Sequence, residues 1–350
     1  MARVGSARLH IARHWRSRHW AGPLAWRHAA GHARGAVVCN CAARCRPRQY
    51  RHHRQPVADC ANCVCAAGRA RSAYNAAAAN CGVTRVLNIA HRGARSLAPE
   101  NTLAAARMAR HAGADMWELD VAVSADGALF VMHDDSLQRT TNAAQRFPDR
   151  APWTFSGFTL AELEQLDYGS WFSESDPFGE AAAGNITPAA MAAFRGEPLL
   201  TLRAALHFTR RHAWQVNVEI KRLPAPLENF PVAAAVVAMV DELGMAEQVV
   251  VSSFVFENLR AVHALNRTIR LAALTGLVET EPQLPDLPLF GVNPHYVGLT
   301  DGAVRGLRAR ELAVLPWTVN AEDEMQRLID AGVSGVITDF PQRLQRLLGS

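Results

Sequence analysis

Residues 86–134 read VLNIAHRGARSLAPENTLAAARMARHAGADMWELDVAVSADGALFVMHD, and this stretch decides the fold class. Two short apolar runs, 86–91 and 115–122, flank a segment at 101–112 in which apolar residues recur at helical spacing. A strand, a helix and another strand in this order predict a βαβ unit with parallel strands. From residue 86 onward the sequence therefore predicts an α/β fold.

A hairpin is predicted directly after this unit. Only Ser124-Ala125-Asp126-Gly127 separates the second run from the next apolar run, 128–133. Four residues are too few for a parallel crossover, but they suit an antiparallel turn. A hairpin centred on these four residues would place His133 opposite Glu118.

The rest of the chain continues the alternation of strands and helices. Six further apolar runs bring the candidate strands to nine: 215–220, 248–253, 269–274, 295–299, 313–319 and 335–338. Helical patterns lie at 101–112, 159–166, 201–212, 232–243, 255–265, 321–331 and 341–348. A closed (β/α)8 barrel needs eight strands, and the hairpin accounts for the ninth. We therefore predict a TIM-type barrel over residues 86–350.

Residues 143–200 interrupt this alternation. They are rich in loops and contain one short helical pattern, at 159–166. An insertion that follows a barrel strand lies over the active-site face, so this one is predicted to cap the substrate pocket. A passive surface excursion is the alternative.

The first 85 residues differ from the rest in charge. They hold 15 of the 37 Lys and Arg residues but only one acid, Asp59, so the segment carries about +14 and residues 86–350 about −9. The overall charge of +5 therefore gives no support to a nucleic-acid interface on the barrel. No apolar run of 18 residues predicts a transmembrane helix, and no signal peptide is readable.

Three interpretations of residues 1–85 remain open. All seven cysteines lie there, and six have the spacing C-x-C-x3-C…C-x2-C-x-C, which differs from paired C-x2-C zinc knuckles. A zinc module and a basic nucleic-acid arm are two interpretations. The composition favours a third: a disordered segment, or residues never selected as protein, as a misplaced start codon or a frameshift would produce. The compartment, cytoplasmic or periplasmic, is left open for the same reason.

Charged side chains recur where the predicted strands end. Glu118 and Asp120 are two residues apart and so share a face of one strand, and Glu219 lies on another. Three converging carboxylates repel one another unless a cation lies among them, and hard oxygen ligands suit Mg²⁺ or Ca²⁺. The sequence therefore predicts a divalent cation site at these three residues.

Other strand ends carry groups suited to proton transfer and anion binding. His91 and His133 could act as general base and general acid, and Arg92 could bind a phosphate with two nitrogens. Lys221 is the only lysine in the chain and lies two residues after Glu219. A compact ammonium beside a cation site suits a bound phosphate.

The combination of these motifs resembles the glycerophosphodiester phosphodiesterase family. The resemblance covers essentially all of residues 86–350 and none of 1–85. It rests on these blocks: His91-Arg92-Gly93-Ala94, Pro99-Glu100-Asn101-Thr102, Glu118-Leu119-Asp120-Val121, His133-Asp134, Leu137-Gln138-Arg139-Thr140-Thr141, Leu166-Asp167-Tyr168-Gly169-Ser170-Trp171-Phe172, Val218-Glu219-Ile220-Lys221, Ser252-Ser253-Phe254, Trp317-Thr318-Val319-Asn320 and Gly335-Val336-Ile337-Thr338-Asp339-Phe340-Pro341.

The resemblance implies a TIM-type barrel of the phospholipase C-like phosphodiesterase type. It implies that a small glycerophosphodiester is hydrolysed to glycerol phosphate and an alcohol, a reaction of lipid and glycerol metabolism. The implied site residues are His91 and His133 for catalysis, Glu118, Asp120 and Glu219 for the cation, and Arg92, Lys221, Asn101 and Trp317 for phosphate and substrate. Asn101 would also suit a helix N-cap. The insertion at 173–198 is longer than in compact members of the family, which leaves the headgroup open.

The sequence leaves several alternatives open. A phospholipase-like enzyme on the same barrel would act on intact lipids, and it would need an exposed apolar rim. Six aromatic residues of the insertion could supply one: Trp153, Phe155, Phe158, Trp171, Phe172 and Phe178. A barrel that binds phosphodiesters without hydrolysing them would be expected to lack a histidine or a carboxylate. The choice between direct attack by water and a cyclic phosphate intermediate, the oligomeric state, and the choice between Mg²⁺ and Ca²⁺ are also open.

Overall fold

The computed structural model describes residues 85–276 and 283–349. These residues form a barrel of eight parallel strands with one antiparallel strand outside the ring. The strands are β1 (Leu87–Ala90), β2 (Met116–Val123), β3 (Leu129–Val131), β4 (Gln215–Ile220), β5 (Val249–Ser253), β6 (Arg270–Thr275), β7 (Gly291–Pro294), β8 (Ala313–Val314) and β9 (Gly335–Thr338). The order around the ring is β8-β7-β6-β5-β4-β2-β1-β9, and β3 pairs with β2 alone.

Backbone hydrogen bonds beyond the regular ladders bring the two ends of this sheet together. The Ser334 N–H donates to the Val314 carbonyl, and the Ile337 N–H donates to the Pro316 carbonyl, both at 2.9 Å. The chain after β8 therefore lies beside β9, and the predicted TIM-type barrel is confirmed.

Helices follow most strands, and four short ones lie within the insertion. They are α1 (Leu103–His111), α2 (Ala143–Arg146), α3 (Leu160–Leu163), α4 (Ser170–Ser175), α5 (Pro188–Ala193), α6 (Leu202–Arg211), α7 (Val232–Glu242), α8 (Phe256–Leu265), α9 (Asp301–Ala309), α10 (Glu322–Ala331) and α11 (Pro341–Leu347). No helix within the described ranges is both long enough and apolar enough to cross a membrane.

An apolar layer fills the lower part of the barrel interior. Its buried members are Ile89, Met116, Val250, Ala272, Ala313, Leu315 and Ile337. Side chains two positions further along a strand point to the same face. The layer above therefore contains polar side chains, because Glu118 follows Met116, Ser252 follows Val250 and Asp339 follows Ile337 in this way. The apolar layer is thus the base on which the polar site is built.

The hairpin is present, but its predicted register is wrong by one residue. Val121 pairs with Val131, and the Met132 N–H donates to the Asp120 carbonyl at 3.0 Å, so His133 does not lie opposite Glu118. The connecting loop has three residues instead of four, because the Ser124 N–H bonds to the Ala128 carbonyl. Gly127 takes φ +83° in this loop, a conformation that glycine adopts without steric cost.

Other differences arise from the residues at strand ends. The predicted strand 295–299 is wrong: β7 comes earlier and ends at Pro294, and the apolar run itself is partly exposed, with Val297 47% accessible. The run 313–319 forms a strand over two residues only, and Pro316 in its middle has no N–H for the ladder. The sequence did not reveal α9, whose two glycines weaken the helical pattern.

The insertion packs against the loops at the carboxyl ends of the barrel strands. The Arg343 guanidinium donates to Glu180 at 2.8 Å, and Phe178 meets Phe340 edge to face with ring centroids 5.5 Å apart. The interpretations of residues 1–84, including the zinc module and the basic arm, lie outside the described residues.

Candidate active site

Three carboxylates form the centre of the site. Glu118 and Asp120 point inward from β2, and Glu219 points inward from β4, where it pairs in register with Asp120. One oxygen of each carboxylate lies within 4.8 Å of the others. Glu118 and Asp120 are almost fully buried, at 4% and 1% exposure. The fold therefore brings together the three carboxylates that the sequence predicted as cation ligands.

The three carboxylates differ in the direction in which their pKa values are shifted. Burial raises the pKa of Glu118 well above its ordinary value, and the charges of Asp120 and Glu219 raise it further. Burial and the charge of Asp120 likewise raise the pKa of Glu219 to about 8. Burial also acts against the charge of Asp120, but Arg92, His133 and Lys221 outweigh it, so the pKa of Asp120 is lowered. The neighbouring positive side chains therefore do not compensate the charge of three ionised carboxylates at neutral pH.

Two buried oxygens support a cation as the missing positive charge. Glu118 Oε1 and Asn217 Oδ1 have no hydrogen-bond partner among the described residues, and the two residues are neighbours in register on β2 and β4. Buried polar atoms in folded proteins nearly always have a partner. A set of carboxylate and amide oxygens is the donor chemistry that Mg²⁺ and Ca²⁺ prefer. The residues present therefore fit a divalent cation.

Arg92 lies against this cluster in a constrained backbone conformation. Its φ is +54°, which is uncommon for a residue with a side chain and is typical of functional sites. Its backbone N–H donates to Glu118 at 2.9 Å, while its side chain bonds Glu100 at 2.8 Å and lies 3.4 Å from Asp120. Lys221 reaches the same region, with Nζ 2.6 Å from the His133 carbonyl and 3.8 Å from Asp120.

Each of the two histidines is held by a carboxylate through Nδ1. His91 Nδ1 lies 2.7 Å from Asp339, and His133 Nδ1 lies 2.6 Å from Asp134. The pKa of Asp339 and that of Asp134 are lowered despite burial, because each carboxylate accepts a hydrogen bond from its histidine and lies near an arginine. An ionised carboxylate can only accept, so Nδ1 carries the proton in both rings. Nε2 of each histidine is therefore the atom that can exchange a proton.

Further residues support His91. The Asn320 amide donates to the second oxygen of Asp339 at 2.8 Å, and it accepts from the Asp339 N–H at 3.0 Å. Burial lowers the pKa of His91, as does the neighbouring Arg92, so the neutral ring is favoured. The sequence placed Asn320 and Asp339 only within the blocks that resemble the family, and it gave them no role, since 248 residues separate His91 from Asp339.

Asn101 and Trp317 occupy different positions from the other predicted site residues. Asn101 donates from Nδ2 to Asp120 at 2.8 Å, with φ +57°. It does not cap α1: the cap is Thr102, whose hydroxyl accepts from the Ala105 N–H. The short side chain of Asn101 is compatible with this left-handed backbone conformation. Its hydrogen bond orients Asp120, which is a candidate metal ligand. Trp317 forms one wall of the site and meets Phe254 edge to face at 5.6 Å.

Two adjoining cavities contain these groups. The inner cavity, of about 170 Å³, is lined by His91, Arg92, Glu118, His133, Asn217, Glu219, Lys221, Ser252, Phe254, Leu274, Asn293, Trp317 and Ile337. The outer one, of about 660 Å³, is lined by His133, Asp134, Asp135, Glu219, Lys221, Arg222, Phe254 and Val255. Seven of the predicted site residues thus line the inner cavity, and Asp120 and Asn101 are not among the lining residues. No residue of the insertion lines either cavity, so a capping role stays a prediction.

Comparisons with known proteins identify relatives of this chain. The chain is 32% identical over 267 residues to a glycerophosphodiester phosphodiesterase of Caldanaerobacter subterraneus subsp. tengcongensis, covering 75% of this chain and 98% of that protein. A phosphodiesterase structure from Oleispira antarctica, in complex with the product sn-glycerol-3-phosphate, matches with a TM-score of 0.58 and 27% identity, covering 75% of this chain and 96% of that one.

A glycerophosphodiester phosphodiesterase structure from Agrobacterium tumefaciens matches with a TM-score of 0.58 and 26% identity, covering 75% of this chain and 100% of that one. Residues 91–343 match the sequence model of the Glycerophosphoryl diester phosphodiesterase family. That range contains every predicted site residue and all strands except β1. The chain therefore belongs to the glycerophosphoryl diester phosphodiesterase family.

Proposed function

We propose that this barrel hydrolyses glycerophosphodiesters to glycerol 3-phosphate and an alcohol, with His91 and His133 as the acid–base pair. The observation that carries the proposal is the position of the two imidazoles. Both line the inner cavity beside the carboxylate cluster, and both are held through Nδ1 by an ionised carboxylate. The names of the relatives and the product in the Oleispira antarctica structure support the same reaction.

Positive charge at the site suits a substrate phosphate. Glu118, Asp120 and Glu219 would hold the cation, Mg²⁺ or Ca²⁺, with the Asn217 oxygen beside them. A bound divalent cation offsets the negative charge that develops on phosphate oxygens in the transition state. Lys221 and Arg92 line the same cavity and contribute further positive charge.

The two histidines divide the proton transfers. Nε2 of one takes the proton of the nucleophile, which is water or the substrate's own 2-hydroxyl, while Nε2 of the other donates a proton to the departing alkoxide. The lowered pKa of His91 keeps that ring neutral, so His91 suits the base. In the cyclic route the histidines exchange these roles as water opens the cyclic phosphate.

The structure gives little support to the alternative, in which the barrel acts on intact phospholipids. Of the six aromatic residues that could form an apolar rim, three are buried (Phe155, Phe158, Phe172) and three are half-buried (Trp153, Trp171, Phe178). An enzyme that works at a lipid surface needs an apolar surface that is exposed. Comparing intact phosphatidylcholine with glycerophosphocholine as substrates tests this alternative directly.

The central experiment measures release of glycerol 3-phosphate from glycerophosphocholine by the full-length protein. We expect release with Mg²⁺ or Ca²⁺, loss of release in EDTA, and loss in His91→Ala. The matched control is His263→Ala, because His263 lies on α8, outside the barrel site. A folded wild-type protein that releases no glycerol 3-phosphate from several glycerophosphodiesters would refute the proposal.

A further inference from the structure

The floor of the inner cavity carries polar atoms that the proposed chemistry does not use. Asn293 on β7 and Ser252 on β5 are both 0% exposed, and both line the cavity. The amide nitrogen and oxygen of Asn293 and the hydroxyl of Ser252 have no hydrogen-bond partner among the described residues. Leaving such atoms without partners is costly, so they indicate a ligand that enters this part of the cavity.

Asn293 lies across the barrel from two of the carboxylates assigned to the cation. In the ring order β8-β7-β6-β5-β4-β2-β1-β9, the strand four places from β7 is β2, which carries Glu118 and Asp120. The inner cavity spans this distance, since it is lined by Arg92 on one side and by Asn293 on the other. A phosphodiester with its phosphate at the cation site can therefore extend one of its two ester groups toward β7.

The chemistry on the β7 side suits an uncharged polyol. Leu274 pairs in register with Asn293, and the Trp317 indole N–H bonds the Asn293 carbonyl. Both residues line the cavity, and neither carries a charge. An amide offers a donor and an acceptor together, and a serine hydroxyl offers both as well. Adjacent hydroxyls of a glycerol group need this combination, whereas a cationic headgroup such as choline has no use for it.

We propose that Asn293 and Ser252 form the subsite that binds the hydroxyls of the substrate's glycerol group. This inference rests on the proposed function and adds the direction in which the substrate is bound. Glycerol enters the closed end of the cavity, and the alcohol to be released faces the outer cavity. Trp317 forms the apolar wall beside the carbon chain, and its indole N–H is tied to the Asn293 carbonyl at 2.9 Å.

The outer cavity suits the variable half of the substrate. It is nearly four times as large as the inner one, at about 660 against about 170 Å³. Its rim residues Asp135 and Arg222 are exposed, and Phe254 is 48% exposed. Groups of either charge and of different size can occupy such an opening. The enzyme should therefore select for glycerol and accept several headgroups.

Two small phosphates test the subsite in the full-length protein with Mg²⁺ or Ca²⁺. Glycerol 3-phosphate carries the hydroxyls, while ethyl phosphate keeps the phosphate and lacks them. Calorimetric binding is measured for the wild type, for Asn293→Ala, and for Asn293→Leu, which is similar in volume. Asn266→Ala is the matched control, because Asn266 caps α8 away from the cavity.

We expect both Asn293 variants to bind glycerol 3-phosphate about 10- to 100-fold more weakly and to bind ethyl phosphate as the wild type does. Ser252→Ala should show a smaller loss of the same kind. Unchanged affinity for glycerol 3-phosphate, or an equal loss for both phosphates, would overturn the inference. A protein whose preference for glycerol 3-phosphate depends on Asn293 but which hydrolyses no glycerophosphodiester would contradict the proposed function alone.

Discussion

The Arg139 guanidinium donates two hydrogen bonds to the Glu100 carboxylate, at 2.9 and 2.7 Å. The same guanidinium bonds both oxygens of Asp134, at 2.6 and 3.0 Å, and Asp134 holds His133. Glu100 in turn binds Arg92 at 2.8 Å. Arg139 thus joins the loop after β1 to the loop after β3. Through Glu100 and Asp134 it connects Arg92 with His133.

We predict that Arg139 acts as a positioning residue. Arg139→Lys should lower kcat about 10- to 100-fold with little change in KM, because one ammonium cannot bind both carboxylates and His133 loses its fixed orientation. Arg260→Lys, on the surface of α8, is the control. Guanidinium ion added to Arg139→Ala should restore part of the activity, and a variant that is fully active without it would contradict this role.

The Asp339–His91 pair gives a second prediction. In Asp339→Asn the amide can donate to Nδ1, so the proton of the imidazole moves to Nε2 and the base is blocked. A fall in kcat of about 10²- to 10⁴-fold is expected, as for the equivalent change in a serine protease triad. Asp330→Asn on α10 is the control, and steady-state kinetics with circular dichroism are the measurements. Wild-type activity in a folded Asp339→Asn protein would show that the carboxylate does not orient His91.

The carboxylate cluster gives a prediction about pH and stability. The pKa of Glu219 rises from its ordinary value of 4.5 to about 8 in the folded protein, so the proton is bound more tightly when the chain is folded. This contribution to stability is complete below about pH 4.5 and is lost as the pH rises through about 8. A bound cation replaces the protons. We therefore expect Mg²⁺ or Ca²⁺ to raise the melting temperature more at pH 8.5 than at pH 6.

Glu219→Gln is the control for this effect, because it removes the titrating group while keeping the size of the side chain. The difference between the two pH values should shrink in this variant. An equal or larger rise at pH 6 in the wild type would contradict the assignment of the carboxylates to a cation.

Gly93 determines how closely the loop after β1, which carries Arg92, approaches α1. Its φ is +79°, and an added Cβ would lie 2.7 Å from the side chain and backbone of Ala105. Gly93→Ala should therefore reduce the free energy of unfolding by at least about 1–3 kcal/mol and lower activity through Arg92. In Gly306→Ala, on α9, an added Cβ meets nothing within 4 Å, and stability should rise slightly. Urea unfolding measures both, and equal stability of the two variants would contradict this account.

Removal of residues 1–84, which are rich in arginine, tests the predicted boundary of the barrel. A chain that begins at Arg85 keeps every contact among the described residues, including the Arg85–Asp115 ion pair at 3.4 Å. We expect it to release glycerol 3-phosphate at the rate of the full-length protein and to need the same cation. A large loss of activity in a folded truncated protein would show that residues 1–84 contribute to the function.

Sequence patterns predicted best the parts of the fold that depend on local burial. The strands 215–220 and 335–338 have the predicted bounds, because both segments are short and rich in β-branched residues. The run 295–299 also contains apolar residues, but after Pro294 it forms a partly exposed turn, and composition alone could not separate the two cases.

The site was predictable in its charged centre and not in its supports. Glu118, Asp120 and Glu219 were identified because charged side chains on otherwise apolar strands need solvent or a partner of opposite charge. Asn293 gave no such signal, since an asparagine before a proline is an ordinary turn residue until the fold buries it. The partnership of Arg139 with Glu100 depends on loops that are 39 residues apart, and no local pattern encodes it.

The hairpin strand β3 lies outside the ring, where it pairs only with β2 and meets Thr201 through an isolated bridge. His91 is therefore anchored in the closed wall, whereas His133 is carried by a side branch of the chain. Lengthening or replacing that branch would change the separation of the two imidazoles without opening any hydrogen bond of the ring. One histidine of the proposed acid–base pair is thus fixed by the closed ring, and the other by a strand that the ring does not need for its closure.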